Sequence, residues 1–581
     1  MIALSDNALK VLQARYLRKN FSGEFVETPD ELFMRVASAV AEAELEWGTR
    51  NEMRRWQQIF YEAMKNLLFL PNSPALMNAG TSLNQLSACF VLPVEDNLDS
   101  IFTTLKHAAL IQQSGGGTGF NFSKLRPKND FISVTGGEAS GPVSFMKIYD
   151  ASTEYVKHGG KRRGANMGIL NVDHPDIADF VTSKKDENVL NNFNISVGIS
   201  DQFMQAVQTD QPWELIHPNS KSVVKTLKAK DLWKLIIENA WQSGDPGLIF
   251  LDTVNASNPL PSLGRIECTN PCGEVPLMPY ESCNLASINL SRFVDREKGT
   301  TKINFIKLGS TIETAVRFLD DVIEVNHYLL PETKSIAANN RKIGLGIMGW
   351  AEMLIMLDTP YDSEDALLLA EQIMDFFKQR SFAASAQLAN ERGVFKNWAT
   401  SNFYPGTRLR NATRLSIAPT GTISIIAGTS SSIEPLFAVA YRRSNVLDGD
   451  TLLEVNPLFI EYLRKNKLYS ESLIDDVKEM GNLGPLRQLP DEVKNIFKTA
   501  LEISPTWHLK HQVTFQHYVD NAVSKTINLP ESCSVDEIDK TYFEAWRQKA
   551  KGITVFRNNS KRRQVLEKGA SGAKACKVCA T

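Results

Sequence analysis

The sequence predicts a soluble α/β protein with a helical N-terminal region. Residues 1–71 carry apolar side chains at the spacing of amphipathic helices. Beyond them, short apolar runs typical of strands alternate with helical segments, as between residues 186 and 250. Of the 581 residues, 43% are hydrophobic and 22% are charged, the balance of a packed globular protein. We therefore expect a helical region over 1–71, an α/β region over 72–560 and a flexible tail over 561–581.

Charge and apolar patterning argue against two classes of partner. The formal net charge is −2 and the basic clusters at 161–163 and 561–563 are short, so we expect no nucleic acid. The most apolar run, 343–357, is interrupted by Glu352 and is shorter than the roughly 20 residues that span a bilayer, so we expect no membrane segment. The N-terminus has no apolar segment followed by a cleavage site, which predicts a cytoplasmic protein.

Two amphipathic helices are predicted in the N-terminal region. The first begins at Pro29, has acidic residues in its first turn and ends at Gly48. The second covers Met53–Leu70 and ends before Pro71.

A short apolar run containing Cys89 predicts a buried strand, and a helix over 99–113 follows it. The glycine-rich turn 114–119 serves either close approach of the backbone to a ligand or a tight connection, and both interpretations stay open. A second flexible loop, 135–141, precedes a predicted helix over 142–158.

Three cations, Lys161, Arg162 and Arg163, lie between glycines in the run GGKRRGAN. A solvated basic loop is the commoner interpretation. The alternative is a phosphate or nucleotide contact, since Arg binds phosphate in a bidentate manner.

The stretch from Glu267 to Leu290 indicates reaction chemistry most strongly. Its prolines exclude a regular helix, so we predict a loop. In an extended segment Asn270, Cys272 and Glu274 point the same way, which places an amide, a reactive thiol and a proton-transferring carboxylate together. Cys283 begins a run that predicts a strand with its thiol directed inward. The plainer alternative is a buried turn with a small apolar Cys and a solvated Glu.

Gly344, Gly346 and Gly349 form a G-x-G-x-x-G pattern, but the segment before it is polar and helix-like. A dinucleotide site requires a strand there. We therefore predict close helix packing.

An apolar strand that begins at Arg414 leads into a possible helix start, where hydroxyl groups and backbone N–H donors meet. Such a start binds anions, which predicts a phosphate site within residues 419–424. No Gly-Lys-Ser/Thr follows, so the segment is no Walker motif.

Two further motifs contain residue types that bind metals. His508, His511 and His517 match no usual zinc spacing and are interpreted as helix-surface histidines, so no metal site is predicted. Cys576 and Cys579 form a CxxC in the flexible tail, without a second thiol pair nearby for zinc. A mobile dithiol that exchanges with another disulfide is the better interpretation.

Together these motifs resemble the catalytic subunit of ribonucleotide reductase, most closely its adenosylcobalamin-dependent class. The resemblance runs from about residue 25 to the end of the chain. It is carried, in the family's order, by NSPALMNAG, LSACFVL, GGKRRGAN, NPCGEVPL with CNLASINL, RKIGLGIMG, APTGTIS, DNAVSKTINLP and the terminal CxxC.

The resemblance implies a fold and a set of catalytic roles. The fold would be a ten-stranded α/β barrel of two antiparallel five-stranded halves with a central finger loop. Cys272 would form the thiyl radical that takes the 3′ hydrogen of the ribose, Glu274 would accept the 3′ hydroxyl proton, and Asn270 would bind the sugar hydroxyls. Cys89 and Cys283 would supply the proton and electrons and end as a disulfide.

The resemblance also implies binding sites and partners. Substrate phosphates would contact Ser73 and residues 420–423, and an effector nucleotide would bind near Asp96, Arg126 and the loop 136–141. Lys161, Arg162 and Arg163 would relay its identity to the substrate. Cys576 and Cys579 would reduce the active-site disulfide and would themselves be reduced by a thioredoxin or glutaredoxin-type protein. The effector site implies a homodimer.

The source of the radical separates two classes of this family. Enzymes that receive the radical from a partner subunit carry adjacent tyrosines late in the chain, and the comparable stretch here, GITVFRNNSKRRQVL, has none. We therefore expect adenosylcobalamin as the cofactor. From the short N-terminus we also expect no additional ATP-binding cone, and therefore control of specificity without an on/off switch. The alternatives are a reductase dependent on a metal subunit, a nonenzymatic thiol-metal binder and, least favoured, a nicotinamide dehydrogenase.

Overall fold

The structure is a computed structural model that describes residues 4–132, 136–158, 162–186, 188–297, 300–443, 452–560 and 566–568. Within the described residues, the α-helices are α1 (Asp6–Arg15), α2 (Pro29–Ala41), α3 (Arg50–Lys65), α4 (Ser73–Asn78), α5 (Leu98–Gln113), α6 (Pro142–Tyr155), α7 (Ile177–Thr182), α8 (Asp201–Thr209), α9 (Ala229–Ser243), α10 (Leu251–Ala256), α11 (Phe305–Val325), α12 (Pro331–Asn340), α13 (Trp350–Met356), α14 (Glu364–Arg392), α15 (Ile423–Ala427), α16 (Pro457–Lys465), α17 (Glu471–Met480), α18 (Asp491–Ile496), α19 (Pro505–Tyr518) and α20 (Val535–Arg547).

The strands are β1 (Phe69–Pro71), β2 (Cys89–Val91), β3 (Gly117–Asn121), β4 (Phe131–Ile132), β5 (Gly137–Glu138), β6 (Lys157–His158), β7 (Arg162–Arg163), β8 (Asn166–Asn171), β9 (Phe193–Ile199), β10 (Pro212–Ile216), β11 (Val223–Lys228), β12 (Gly247–Phe250), β13 (Cys268–Thr269), β14 (Pro276–Leu277), β15 (Ser282–Asn289), β16 (Val294–Glu297), β17 (Thr300–Ile303), β18 (Ile343–Met348), β19 (Ala440–Arg443), β20 (Leu452–Val455), β21 (Thr526–Leu529), β22 (Gly552–Arg557) and β23 (Leu566–Lys568).

The N-terminal region is helical, as predicted. Helices α2 and α3 begin with capping boxes, in which Thr28 and Thr49 exchange hydrogen bonds with Glu31 and Glu52. The second helix is shorter than predicted, because Leu67 has a positive φ of 54° and the chain then enters β1. Strand β1 pairs antiparallel with β15, so it joins the N-terminal region to the main sheet.

The main sheet contains ten strands. Strands β2, β3, β8, β9 and β12 are parallel neighbours in that order. Strand β2 pairs antiparallel with β15, and β12 pairs antiparallel with β22. Strand β15 is parallel to β18, and β22 is parallel to β21. Two single bridges, Leu345 to Leu415 and Ile417 to Val523, link β18 through residues 415–417 to the residues just before β21. The strand pairings therefore form a closed ring.

Two glycine-rich segments lie in strands, which corrects the sequence interpretation. Gly117 and Gly119 belong to β3, not to a turn, and Gly344 and Gly346 belong to the buried strand β18, not to a helix contact. A Cβ on Gly346 would lie 2.2 Å from the carbonyl oxygen of Ser416. These glycines therefore allow backbones of neighbouring segments to approach closely.

The prediction of helix-surface histidines holds for His517, which is exposed, but was wrong for the other two. His508 and His511 are fully buried in α19, and their ring nitrogens hydrogen-bond to the carbonyl oxygens of Ala500 and Tyr361. Burial lowers the pKa of both rings, so both are neutral near pH 7.

In the described part of the chain, no helix is both long and apolar enough to span a membrane.

Candidate active site

The site is built on a hairpin of β13 and β14, residues 268–277, which we call the site hairpin. Its tip is closed by Asn270, whose backbone N–H donates to Val275 O (3.3 Å) and whose Oδ1 accepts from Val275 N (3.0 Å). Gly273 has a φ of +81°, a conformation that glycine adopts without strain. The predicted loop is thus a tight turn between two short strands.

Glycines of β3 allow the site hairpin to lie against the sheet. A Cβ on Gly119 would be 1.8 Å from the carbonyl oxygen of Thr269, and one on Gly117 would be 2.8 Å from Cγ of Pro271. The sequence left open whether the glycines of residues 114–119 allow close approach to a ligand. The structure shows that two of them allow close approach of the site hairpin.

Asn270, Cys272 and Glu274 line one cavity of about 340 Å³. The sequence predicted that these three side chains share one face of an extended segment. The structure corrects this, because the chain turns at Gly273 and the turn brings them to the cavity. Cys272 is exposed at the tip, whereas Asn270 and Glu274 are buried. A thiol open to the cavity and a buried carboxylate suit attack and proton transfer, respectively.

Cys89 and Cys283 lie directly opposite each other on the antiparallel strands β2 and β15. Opposite residues in such a pair have Cα atoms about 4.5–5.5 Å apart, within the range of a disulfide. Both residues are buried thiols, and burial raises the pKa of each. Asn270 Nδ2 donates to Cys89 Sγ at 3.2 Å, so the site hairpin contacts this thiol pair directly.

Glu274 is buried in a way that alters its ionisation. Burial raises the pKa of its carboxyl group to about 7, although Asn270 opposes the shift. Its Oε2 atom is buried and has no hydrogen-bond partner among the described residues. An acceptor without a partner in a cavity indicates a group that is satisfied only when a ligand is bound.

The other end of the cavity is lined by Ser73 and residues 420–423, the predicted phosphate site. Helix α15 begins at Ile423, and the Ser424 N–H donates to Thr420 O at 2.9 Å, so the N–H groups that remain for an anion are those just before Ser424. Thr420 has a positive φ of 53°, and its hydroxyl already accepts from Ser432 N at 2.7 Å. Thr420 therefore shapes the turn, while Gly421 and Thr422 are more accessible.

Two residues of the N-terminal region reach this end of the cavity and were not predicted. Arg15 Nη1 donates to Thr422 Oγ1 at 3.4 Å, and the Tyr16 hydroxyl lies 2.7 Å from Ser73 Oγ. Arg15 and Thr422 are 407 positions apart, and no local pattern signals their contact. Among the described residues that line the cavity there is no cation, so Arg15 adds positive charge at its edge.

A second cavity, of about 330 Å³, adjoins the first and shares Pro271, Cys272 and Pro419 with it. Gln512 lines this cavity, and its Oε1 atom is buried without a partner among the described residues. Lys525 also lines it and is held by Glu434 and by His508 Nδ1. Cys272 is therefore accessible from two separate spaces.

The predicted effector residues Asp96 and Arg126 form an ion pair of 2.9 Å, and Asn219 Nδ2 donates to Asp96 at 2.6 Å. The loop expected from 136 to 141 contains β5 and ends at Gly141, the N-cap of α6. Arg162 and Arg163 form β7, which pairs with β6. Lys161, Cys576 and Cys579 lie outside the described residues.

Family models match nearly the whole chain. The model of the ribonucleotide reductase all-alpha domain matches residues 2–84, and that of the ribonucleotide reductase barrel domain matches residues 87–408 and 406–556. The chain belongs to the ribonucleotide reductase family. The helical N-terminal region and the α/β region of this reductase correspond to those two domain types.

Relatives of this reductase extend over almost its full length. A protein of Thermoplasma acidophilum, named vitamin B12-dependent ribonucleoside-diphosphate reductase, is 49% identical over 99% of this chain and 81% of its own. A Mycobacterium tuberculosis protein of the same name is 48% identical over 98% of this chain and 81% of its own. The structure titled Actinobacillus ureae class Id ribonucleotide reductase alpha subunit has the same fold, with a TM-score of 0.77, 23% identity and coverage of 96% of this chain and 97% of that one.

Proposed function

We propose that this chain is an adenosylcobalamin-dependent reductase that converts ribonucleoside diphosphates to 2′-deoxyribonucleotides. The observation that carries the proposal is a single cavity lined by Cys272, Cys89, Asn270 and Glu274 and also by Ser73 and residues 420–423, the predicted phosphate site. The names of the relatives support both the vitamin B12 dependence and the diphosphate substrate.

The residues divide the reaction among them. Cys272, as a thiyl radical, takes the 3′ hydrogen while Glu274 accepts the proton of the 3′ hydroxyl and Asn270 holds the sugar. The 2′ hydroxyl leaves as water with a proton from the thiol pair. Cys89 and Cys283 give up two electrons and form a disulfide, and Cys272 returns a hydrogen atom to the 3′ carbon. Substrate and dithiol thus become deoxynucleotide, water and disulfide.

The second cavity fits a cofactor group of nucleoside size. Its volume of about 330 Å³ and the unpartnered Gln512 Oε1 suit an adenosyl moiety that donates a hydrogen bond. When bound, adenosylcobalamin supplies the one-electron chemistry that starts from homolysis of its carbon–cobalt bond. Cys272 borders this cavity, so its hydrogen is accessible from that side.

Cys576 and Cys579 are proposed to reduce the Cys89–Cys283 disulfide by exchange and to be regenerated by a thioredoxin or glutaredoxin-type protein. The CxxC spacing and the glycine-containing segment before it support this role.

We propose a homodimer whose interface holds the effector nucleotide near Asp96 and Arg126, with residues 161–163 relaying the effector's identity. Exposed apolar side chains on the consecutive helices α5 and α6 support the dimer. They are Leu98 (63% exposed), Phe102 (49%), Ile148 (40%) and Tyr155 (85%). An apolar surface of this kind is typical of a protein interface.

We further propose that the ring of pairings is a ten-stranded barrel of two antiparallel five-stranded halves, with the site hairpin as its central finger. The five consecutive parallel strands β2, β3, β8, β9 and β12, joined at both ends by antiparallel pairs, support this arrangement. The proposed domains are 1–71, 72–560 and a tail over 561–581.

Anaerobic assays of the purified chain with a ribonucleoside diphosphate, dithiothreitol and effector test the function. We expect deoxynucleotide only when adenosylcobalamin is added. Product that requires a metal-containing partner subunit instead would show the partner-dependent class. Stoichiometric zinc that survives dialysis, together with no nucleotide binding, would identify a thiol-metal binder.

A further inference from the structure

A buried ion pair lies beside the thiol pair. Lys342 Nζ is 2.6 Å from Glu281 Oε2, and each side chain is only 2% exposed. Removing two charges from water costs several kcal/mol per ion, so a buried pair is weak support for stability alone. Its position relative to the thiols indicates a chemical role.

Strand register places Lys342 next to Cys283. Cys89 is opposite Cys283 in the β2–β15 pair, and Asn284 is opposite Ile343 in the parallel β15–β18 pair. The same register, one residue earlier, sets Lys342 opposite Cys283. Because residues opposite each other share a face of the sheet, Cys89, Cys283 and Lys342 form one row across the sheet.

Glu281 orients this lysine and is itself held by two further donors. The carboxylate also accepts hydrogen bonds from Asn340 Nδ2 (2.7 Å) and Met278 N (2.8 Å), which fix its position. A lysine ammonium has three N–H donors, and among the described residues one of them goes to Glu281. Donors therefore remain on Lys342 for an anion that forms on the neighbouring strand.

The two sulfurs differ in access and in charge environment. Cys89 lines the substrate cavity, whereas Cys283 is not among its lining residues. Burial, Glu274 and Glu281 raise the pKa of Cys283, and Lys342 opposes that shift. As a thiol, Cys283 donates to Asn284 O at 3.3 Å. A thiolate cannot donate, so it would lose this bond and accept from a cation instead.

We infer that Lys342, held by Glu281, is a positioning residue that makes Cys283 the leaving thiolate when a dithiol reduces the Cys89–Cys283 disulfide. The attacking thiolate forms a bond to Cys89 Sγ, the Cys89–Cys283 bond breaks, and its electron pair stays on Cys283. The second thiol of the reductant then releases Cys89. The inference rests on the proposed function, since that function generates the disulfide.

The first test uses the full chain with Cys272→Ser, Cys576→Ser and Cys579→Ser, oxidised by diamide. Peptide mass spectrometry checks that Cys89 and Cys283 are joined, and absence of that disulfide would count against the proposed function itself. The oxidised protein is then mixed with 2-mercaptoethanol, quenched in acid and mapped. We expect the mixed disulfide on Cys89, and its presence on Cys283 would overturn the inference. This test requires no substitution at Lys342.

The second test measures the rate of disulfide reduction by dithiothreitol. Lys342→Met is combined with Glu281→Met, so that no buried charge is left without a partner. Loss of Lys342 raises the pKa of Cys283, and loss of Glu281 lowers it by a smaller amount. With a net rise of roughly one pKa unit and a Brønsted sensitivity of about 0.5, the reduction should slow about threefold. Lys498→Met, which removes the Lys498–Asp362 pair, is the control and should reduce at the parent rate. Equal rates in the double variant and the control would refute the role of Lys342.

Discussion

At the scale of single residues, Glu274 links protonation to stability. The folded protein keeps its proton up to a pKa of about 7, whereas the unfolded chain releases it near the ordinary 4.5. Folding therefore binds a proton between these values, and the stability contributed by this group falls as pH rises through that window.

Glu274→Gln removes this dependence because an amide does not ionise. The stability of the variant relative to the wild type should increase by roughly 3 kcal/mol between about pH 5 and about pH 8, and turnover should be lost. Thermal midpoints at the two pH values provide the measurement. A constant difference between the proteins would show that Glu274 ionises normally.

Substitution of Cys272 should affect turnover without affecting the stability of the fold. Since its side chain is exposed and serine is close to it in size, Cys272→Ser should change the melting temperature little. We expect turnover to fall below detection. Paired assays and thermal melts check both, and residual activity near the wild-type level would remove Cys272 from the proposed mechanism.

At the scale of elements, the site hairpin depends on the glycines of β3. A Cβ at Gly119 would lie 1.8 Å from the Thr269 carbonyl oxygen, a backbone atom that no rotamer change can move. Gly119→Ala should therefore destabilise the protein by at least about 1–3 kcal/mol and misplace Cys272.

Calorimetry and turnover of Gly119→Ala test this contact. Gly484→Ala is the control, because there the added methyl meets only a side-chain atom, Glu502 Oε1, at 3.1 Å. Normal stability and activity in Gly119→Ala would show that the hairpin lies elsewhere.

At the scale of the whole molecule, a buried ion network joins the N-terminal region to the α/β region. Glu44 contacts Arg392 at 2.7 Å and Arg317 at 2.5 Å, and Arg392 also contacts Asp320 and Asp321. Glu44→Ala leaves buried cations without this partner and should cost about 3–5 kcal/mol.

Thermal unfolding of Glu44→Ala should show the loss, whereas Glu313→Ala should stay within about 1 kcal/mol of wild type. Glu313 belongs to a half-exposed pair with Arg380, where solvent screens the charges. Similar midpoints for the two variants would mean that the network does not hold the regions together.

The N-terminal region also reaches the substrate cavity through Arg15. Arg15→Gln should raise KM for a diphosphate substrate about tenfold, the value of one charge-assisted hydrogen bond, without lowering the melting temperature. Arg18→Gln, an exposed arginine three positions later, is the matched control. An unchanged KM in Arg15→Gln would separate the N-terminal helix from substrate binding.

Local sequence patterns correctly predicted the helices α2, α5 and α6 and the buried strands at Cys89 and Cys283, and they identified the candidate residues of the site hairpin. Helix periodicity, turn residues and short apolar runs depend on neighbours within a few positions, which a sequence displays directly. Contacts between segments that are distant in the sequence could not be predicted from such patterns. The glycines of β3 and β18 were misassigned, His508 and His511 were placed on a surface, and Arg15 and Lys342 were not recognised. The role of each depends on a backbone or charge many positions away, and folding alone brings these groups together.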